Sequence, residues 1–293
     1  MNTVAPPAPA LRRPVRTLDV GVQDLAGVGN AIEDIYAGTL DVLVVRGALD
    51  ATMLAATGER LDADAGGLAW SRPNIKMPVE DVQLLGTDTP ATPTFNAPRG
   101  ATLDDYLASA AAHAGEAAAV FAPGYDAGAA IRQAIARHAG GRAVELAQAA
   151  DGRSYAPYTI RRLADGRQIG LHHDFHYRLD LYRELAPQLD TGTLVSFVAT
   201  LRAPRDGGEL FVYGATSDDA AVPRLANGFS FDLAAVEAGY DCARLQLGAG
   251  DLFLLAAGRC LHRVGRVGGP PSRITMGGFL ALDRARQRVL FWS

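Results

Sequence analysis

Five residues in the second half of the chain have types and spacings that can do chemistry together. The run Gln168 to Phe175 has strand character and ends in Leu171-His172-His173-Asp174-Phe175. In a strand, residues i and i+2 project to the same face, so His172 and Asp174 point together and His173 points away. His262 lies well downstream, in a second strand pattern, Arg259-Cys260-Leu261-His262-Arg263. Two imidazoles and one carboxylate on a β scaffold are the donor set of the facial triad that holds non-haem Fe(II) and leaves three positions open. Past His262 come Arg273 and Thr275, again on one strand face. A planar, always-charged guanidinium beside a hydroxyl suits a carboxylate. The distal carboxylate of 2-oxoglutarate fits that description, with the metal taking its keto oxygen and adjacent carboxylate. His-x-Asp alone is a weak signal, and a lone downstream His is weaker. The ordered set of all five is what discriminates.

The residues around these five have plainer readings beside the functional ones. His173 points away and is expected to pack behind the ligands. His176 shares their face only if the strand continues past Phe175. His113 and His138 fall in helical segments and are read as solvated. Ser196 and Thr200 alternate with Val198 on one strand face, where the plain reading is an ordinary strand hydroxyl. Ile169 lines a substrate pocket or packs in the core. Trp70, Arg72, Asn74 and Lys76 lie in a Gly-, Pro-, Thr- and Asn-rich segment and either read the substrate or are solvated. Arg161, Arg162 and Arg167 are anion contacts or outward-facing strand residues, and spacing does not choose.

These residues need a scaffold. From about residue 153, short apolar runs alternate with turn residues: Tyr158–Leu163, Gln168–Phe175, Leu194–Leu201, Glu209–Tyr213, Phe229–Leu233, Arg244–Leu247, Leu252–Ala256, Cys260–Val264, Ile274–Leu282 and Val289–Trp292. Asp165-Gly166, Asp206-Gly207-Gly208 and Gly248-Ala249-Gly250-Asp251 punctuate them. Many short strands in one run predict a double-sheet jelly roll. Upstream, Asn30 to Thr39 predicts a helix, Leu40 to Arg46 a buried strand, and Asp50 to Leu61 a helix capped by Asp50. Residues 62–100 predict a long ordered loop. The Ala-rich stretch 101–150, with Leu103, Tyr106, Leu107, Ile131, Ala134 and Ile135 at helical spacing, predicts two or three helices. The expected architecture is α+β: a double-stranded β-helix (jelly-roll, cupin-like) core with N-terminal helices packed outside. A flexible tail at 1–17 precedes a single domain at 18–293, divided into a mainly helical part (18–152) and the jelly roll (153–293).

Composition sets the outer bounds. The 293 residues are 48% hydrophobic and 20% charged, with a formal net charge of −4. That supports a folded core and excludes a concentrated basic face for a nucleic-acid polymer or an anionic membrane. A small anionic substrate needs only one or two placed arginines. The two cysteines, Cys242 and Cys260, are expected to be free thiols. No apolar run is long enough to span a bilayer, and the Pro- and Ala-rich start lacks the apolar core of a signal peptide. A cytoplasmic location, where Fe(II) is available, is expected.

Several segments resemble a known family. They are Thr159-Ile160-Arg161 through Asp165-Gly166-Arg167-Gln168-Ile169, Gly207-Gly208-Glu209-Leu210-Phe211-Val212-Tyr213, Gly250-Asp251 through Gly258-Arg259, His262-Arg263-Val264, Gly277-Gly278-Phe279-Leu280-Ala281 and the terminal Phe291-Trp292-Ser293. They are similar to the free-standing Fe(II)/2-oxoglutarate halogenases of hapalindole- and welwitindolinone-type alkaloid biosynthesis and to their hydroxylase relatives. The likeness covers the C-terminal half well and the N-terminal half loosely. It implies a jelly roll, Fe(II), 2-oxoglutarate and O2, and a free small-molecule substrate with no carrier protein. It carries over His172 and His262 as iron ligands, Arg273 as the co-substrate anchor and Ser196 as a residue near the metal. In the halogenases a Gly stands at the carboxylate position and chloride binds iron in the gap. Here that position is Asp174, which implies hydroxylation of an unactivated C–H in place of chlorination. Nucleotides or nucleosides, alkaloids and amino acids are the candidate substrates, in secondary metabolism. Halogenation, desaturation or cyclisation within the same family, and a non-enzymatic metal-binding sensor, are the alternatives.

Overall fold

The computed structural model describes residues 13–63, 70–71, 82–85, 103–174, 183–225 and 230–293. The N-terminal half contributes β1 (Thr17–Gly21), α1 (Ala31–Tyr36), β2 (Val42–Arg46), α2 (Ala51–Ala63), β3 (Trp70–Ser71), β4 (Val82–Leu85), α3 (Leu103–Val120), α4 (Ala127–Ala136) and β5 (Ala143–Leu146). Then follow β6 (Thr159–Leu163), β7 (Ile169–His172), β8 (Val195–Arg202), β9 (Asp206–Gly207), β10 (Leu210–Thr216), α5 (Leu233–Gly239) and β11 (Cys242–Leu245). The chain ends with β12 (Leu252–Leu255), β13 (Cys260–Val264), β14 (Val267–Gly268), β15 (Arg273–Leu282) and β16 (Arg288–Trp292). Among the described residues these strands form a ten-stranded sheet, a four-stranded sheet and a two-stranded ribbon. The large sheet runs β1-β2-β12-β8-β15-β6-β4-β3, with β16 beside β15 and β5 beside β16. The small sheet runs β11-β10-β13-β7.

The middle of the large sheet shows why two layers form. Every residue of β15 is buried, so both faces are covered. Ile274, Met276, Leu280 and Leu282 share one apolar cluster with Ile32 and Ile35 of α1, Leu54 and Leu61 of α2, and Ile131 and Ile135 of α4. This is the helix-covered face. The alternate residues, Arg273, Thr275, Phe279 and Ala281, face the other way. On that inner face Leu163 of β6 meets Val264 of β13, Val267 and Ile169 of β7, which closes the small sheet over the large one. The result is the expected double-stranded β-helix core with helices outside. A helix as short as α1 is unstable alone in water. Burial of Ile32 and Ile35, about 1.5–3 kcal/mol each, is what holds it.

The structure departs from the sequence reading at several elements. Within 62–100, Trp70–Ser71 and Val82–Leu85 pair with each other, and β4 extends the sheet beyond β6. Within 101–150, Ala143–Leu146 is strand, parallel to β16. Phe229 of the expected strand Phe229–Leu233 lies outside the described residues; the remainder forms a single bridge, Arg224 to Phe231, followed by α5. Asp232 caps that helix by accepting the Ala235 N–H, so its side chain and the Leu-Ala-Ala-Val-Glu-Ala run override the apolar pattern. The expected tail is fixed from Arg13, whose guanidinium meets the buried Asp41. His138 is buried, not solvated: its Nδ1 donates to the Val28 carbonyl at 3.0 Å. Cys242 is exposed and Cys260 buried, both free. Among the described residues no helix is long and apolar enough to cross a membrane.

Candidate metal and co-substrate site

β13 is an inner strand of the small sheet, flanked by β10 and β7. Its residue His262 pairs directly with His172, the last residue of β7. A cross-strand pair puts the two side chains side by side; the ring centroids are 4.2 Å apart, tilted by 52°. Asp174 lies just beyond the end of β7. Its N–H donates to the Ala257 carbonyl at 2.9 Å, in the turn between β12 and β13. Strand alternation predicted that His172 and Asp174 share a face. They do converge, but the bond to Ala257 positions Asp174, since β7 has already ended. The ligand atoms of His172, Asp174 and His262 all lie within 4.8 Å of one another, with His172 Nε2 3.8 Å from Asp174 Oδ1.

Hydrogen bonds fix how these groups present themselves. His172 Nδ1 meets the Gly170 carbonyl at 2.7 Å, and His262 Nδ1 meets the Cys260 carbonyl at 3.0 Å. A carbonyl only accepts, so both Nδ1 atoms carry a proton, which leaves Nε2 of each ring as the atom that can face a metal. Burial, then neighbouring His172, pushes His262 down to about 4, which keeps it neutral at physiological pH. Ser196 Oγ donates to Asp174 Oδ2 at 2.6 Å and fixes the carboxylate. Two imidazoles with Nδ1 bonded to backbone and one oriented carboxylate fit Fe(II).

The neighbouring histidine stands apart. His173 is buried on the far side, edge-on to Phe231 with centroids 5.6 Å apart, and burial pushes it down to about 3. Ile169 packs against the apolar cluster of Leu163, Val264 and Val267. Arg72, Asn74, Lys76 and His176 lie outside the described residues. Trp70 and His113 fall in β3 and α3, and only their backbone placement is described.

A second polar group lies on the inner face of the large sheet. Arg273 is 6% exposed and Thr275 1%. Among the described residues Arg273 has no ion pair. Gly208, at φ +68°, makes room for it: a Cβ there would stand 3.1 Å from Arg273 Cδ. Arg161 of β6 pairs with Thr275, which puts both side chains on the inner face, while Arg162 turns to the other face and meets Ser272 Oγ at 3.4 Å. Burial, and then the charge of Arg161, lowers Arg273 to about 10. A buried guanidinium with no carboxylate is costly unless an anion arrives to meet it. The fork and hydroxyl therefore fit the distal carboxylate of 2-oxoglutarate. Thr200 of β8 also pairs with Thr275, and spacing alone gave no role for it.

The model of the family "Carrier-protein-independent halogenase WelO5" matches residues 14–293. No curated protein sequence matches. Among solved structures, a prolyl-4-hydroxylase from Pseudomonas putida is similar at 19% identity, over 87% of this chain and 97% of that one, with a TM-score of 0.44. An N-substituted L-amino acid dioxygenase from Burkholderia ambifaria is similar at 14% identity, over 90% of each chain, with a TM-score of 0.48. HygX from Streptomyces hygroscopicus, solved with nickel, 2-oxoglutarate and hygromycin B, is similar at 17% identity, over 84% of this chain and 85% of that one, with a TM-score of 0.42. These distant likenesses carry no argument about function. The family match spans nearly the whole chain and includes every residue of the site: this protein belongs to the family of the carrier-protein-independent halogenase WelO5.

Proposed function

We propose that this member of the family is a hydroxylase acting on a free small molecule in secondary metabolism. The observation that carries the reading is Asp174, a carboxylate beside His172 and His262 and held by Ser196. By the family resemblance it stands where the halogenases have Gly and bind chloride. His172, Asp174 and His262 hold the iron; Arg273 and Thr275 take the distal carboxylate of 2-oxoglutarate. Iron, when bound, supplies the activation of O2 coupled to decarboxylation of the co-substrate. The balance is one C–H, one O2 and one 2-oxoglutarate giving one C–OH, succinate and CO2. The protein's own contribution is to fix the ligands' protonation, orient the carboxylates and exclude water.

The test is succinate formation from 2-oxoglutarate with Fe(II) and O2, across nucleotides, indole alkaloids and amino acids, with His262→Ala as control. The expected result is succinate stimulated by one compound class, lost in the variant, with a product that gains one oxygen atom. Iron binding without 2-oxoglutarate binding would favour a sensor. Family membership favours a second reading, halogenation, and a product carrying bromine from bromide buffer would establish it over hydroxylation.

A further inference from the structure

Thr200 lies within β8, 1% exposed, directly across from Thr275. Its backbone is fully used: the N–H donates to the Asp251 carbonyl and the C=O accepts from Gly250 N–H, each at 2.9 Å. Its hydroxyl is not: Oγ1 is buried and has no hydrogen-bond partner among the described residues. A buried hydroxyl without a partner costs stability. Valine has nearly the same shape, prefers strands and carries no such cost. Val198, two residues earlier in β8, shows that the strand accepts it.

We infer that the Thr200 hydroxyl is a third donor of the carboxylate site, beside Arg273 and Thr275. The inference rests on the proposed 2-oxoglutarate anchor and extends it to a residue on a different strand. A carboxylate offers about four lone-pair positions on two oxygens. The Arg273 fork fills two, the Thr275 hydroxyl a third and the Thr200 hydroxyl the fourth. The three groups come from adjacent, register-locked strands and all can donate, so the site suits a ligand that only accepts.

The test is Thr200→Val, with Thr200→Ser and Arg273→Ala beside it. Two quantities are measured on the full chain: 2-oxoglutarate affinity of the Fe(II)-loaded protein without O2, by equilibrium dialysis, and the melting temperature of the metal-free, ligand-free protein. The expected result for Thr200→Val is roughly tenfold weaker binding, with a melting temperature about 3 °C above wild type. Thr200→Ser keeps affinity near wild type. These opposite signs separate a binding role from a packing role, which would lower the melting temperature. Wild-type affinity in Thr200→Val, or a lower melting temperature with no loss of affinity, overturns the inference while Arg273→Ala still tests the anchor. Absence of 2-oxoglutarate binding by the wild type overturns both.

Discussion

Asp174 sits where two demands meet. Toward a metal held as proposed it would supply one negative charge; toward the sheet it accepts the Ser196 hydroxyl at 2.6 Å. Asp174→Gly removes both, leaving a metal short of one anionic ligand and a serine donor without its acceptor. A halide answers each deficit. The expected outcome is chloride- or bromide-dependent halogenation in place of hydroxylation, with iron affinity weaker by about tenfold. Product mass in bromide buffer and iron content by dialysis check it; loss of iron with no halogenated product would defeat the idea that this position sets the outcome. That His172 and His262 would come together, and that Arg273 would share a strand face with Thr275, was legible in the sequence because residue type and spacing coincide. Asp174 was legible through the period of two, although a loop hydrogen bond positions it. Thr200 was not, since a threonine in a strand is an ordinary β residue until burial and cross-strand register are known.

The turn that joins β12 to β13 carries more of the site than its length suggests. Its Ala257 carbonyl places Asp174, and its end launches the strand bearing His262. The turn is tied down by Asp41, which is fully buried. Asp41 accepts from Arg13 and Arg259 and from the Arg16 N–H, and its carbonyl accepts the Ala256 N–H. Burial alone would raise the carboxyl, but the Arg16 N–H and the Arg13 charge outweigh it and hold Asp41 below the usual range. Asp41→Ala leaves the guanidinium groups of Arg13, Arg16 and Arg259 facing a hole. The expected loss is about 3 kcal/mol, at the low end for a broken buried pair because Arg13 and Arg259 keep 26% and 24% side-chain exposure. Urea unfolding of the metal-free protein measures it, and a loss under about 1 kcal/mol would show that the knot is incidental. At this scale the C-terminal strands, apart from the run at 229–233, were legible, because apolar alternation and Gly-Asp turns agree. β4 and β5 were not: what makes each a strand is a distant partner, β6 or β16, and no local pattern records it.

Across the whole molecule, several ionisable groups push stability in one direction with pH. His138 is held below its ordinary value, first by burial and then by Arg137, against the bond to Val28. His262 and His173 are lowered as well. Each histidine takes up a proton more readily in the unfolded chain than in the folded one. Their stabilisation is complete above the ordinary histidine value of about 6.5 and is lost as pH falls below it. Asp41, also lowered, adds to the loss further into acid. The melting temperature of the metal-free protein should fall between about pH 7 and about pH 5, and less steeply in His138→Gln. A flat or rising profile would contradict the buried, neutral state of these rings. The helices of the N-terminal half were legible, but its share of the sheet was not. β1 to β5 are integral to the large sheet, which therefore draws strands from both parts of the chain.

Both metal-facing imidazoles are locked by the same local device: Nδ1 bonded to the carbonyl two residues earlier in the histidine's own chain segment. No side chain from the surrounding walls takes part in that lock. Substitutions that recut the cavity for a different molecule therefore leave the tautomers of both ligands untouched. Such a centre is evolvable by construction, because drift in what the cavity accepts is uncoupled from the tautomers of the two rings proposed to bind metal.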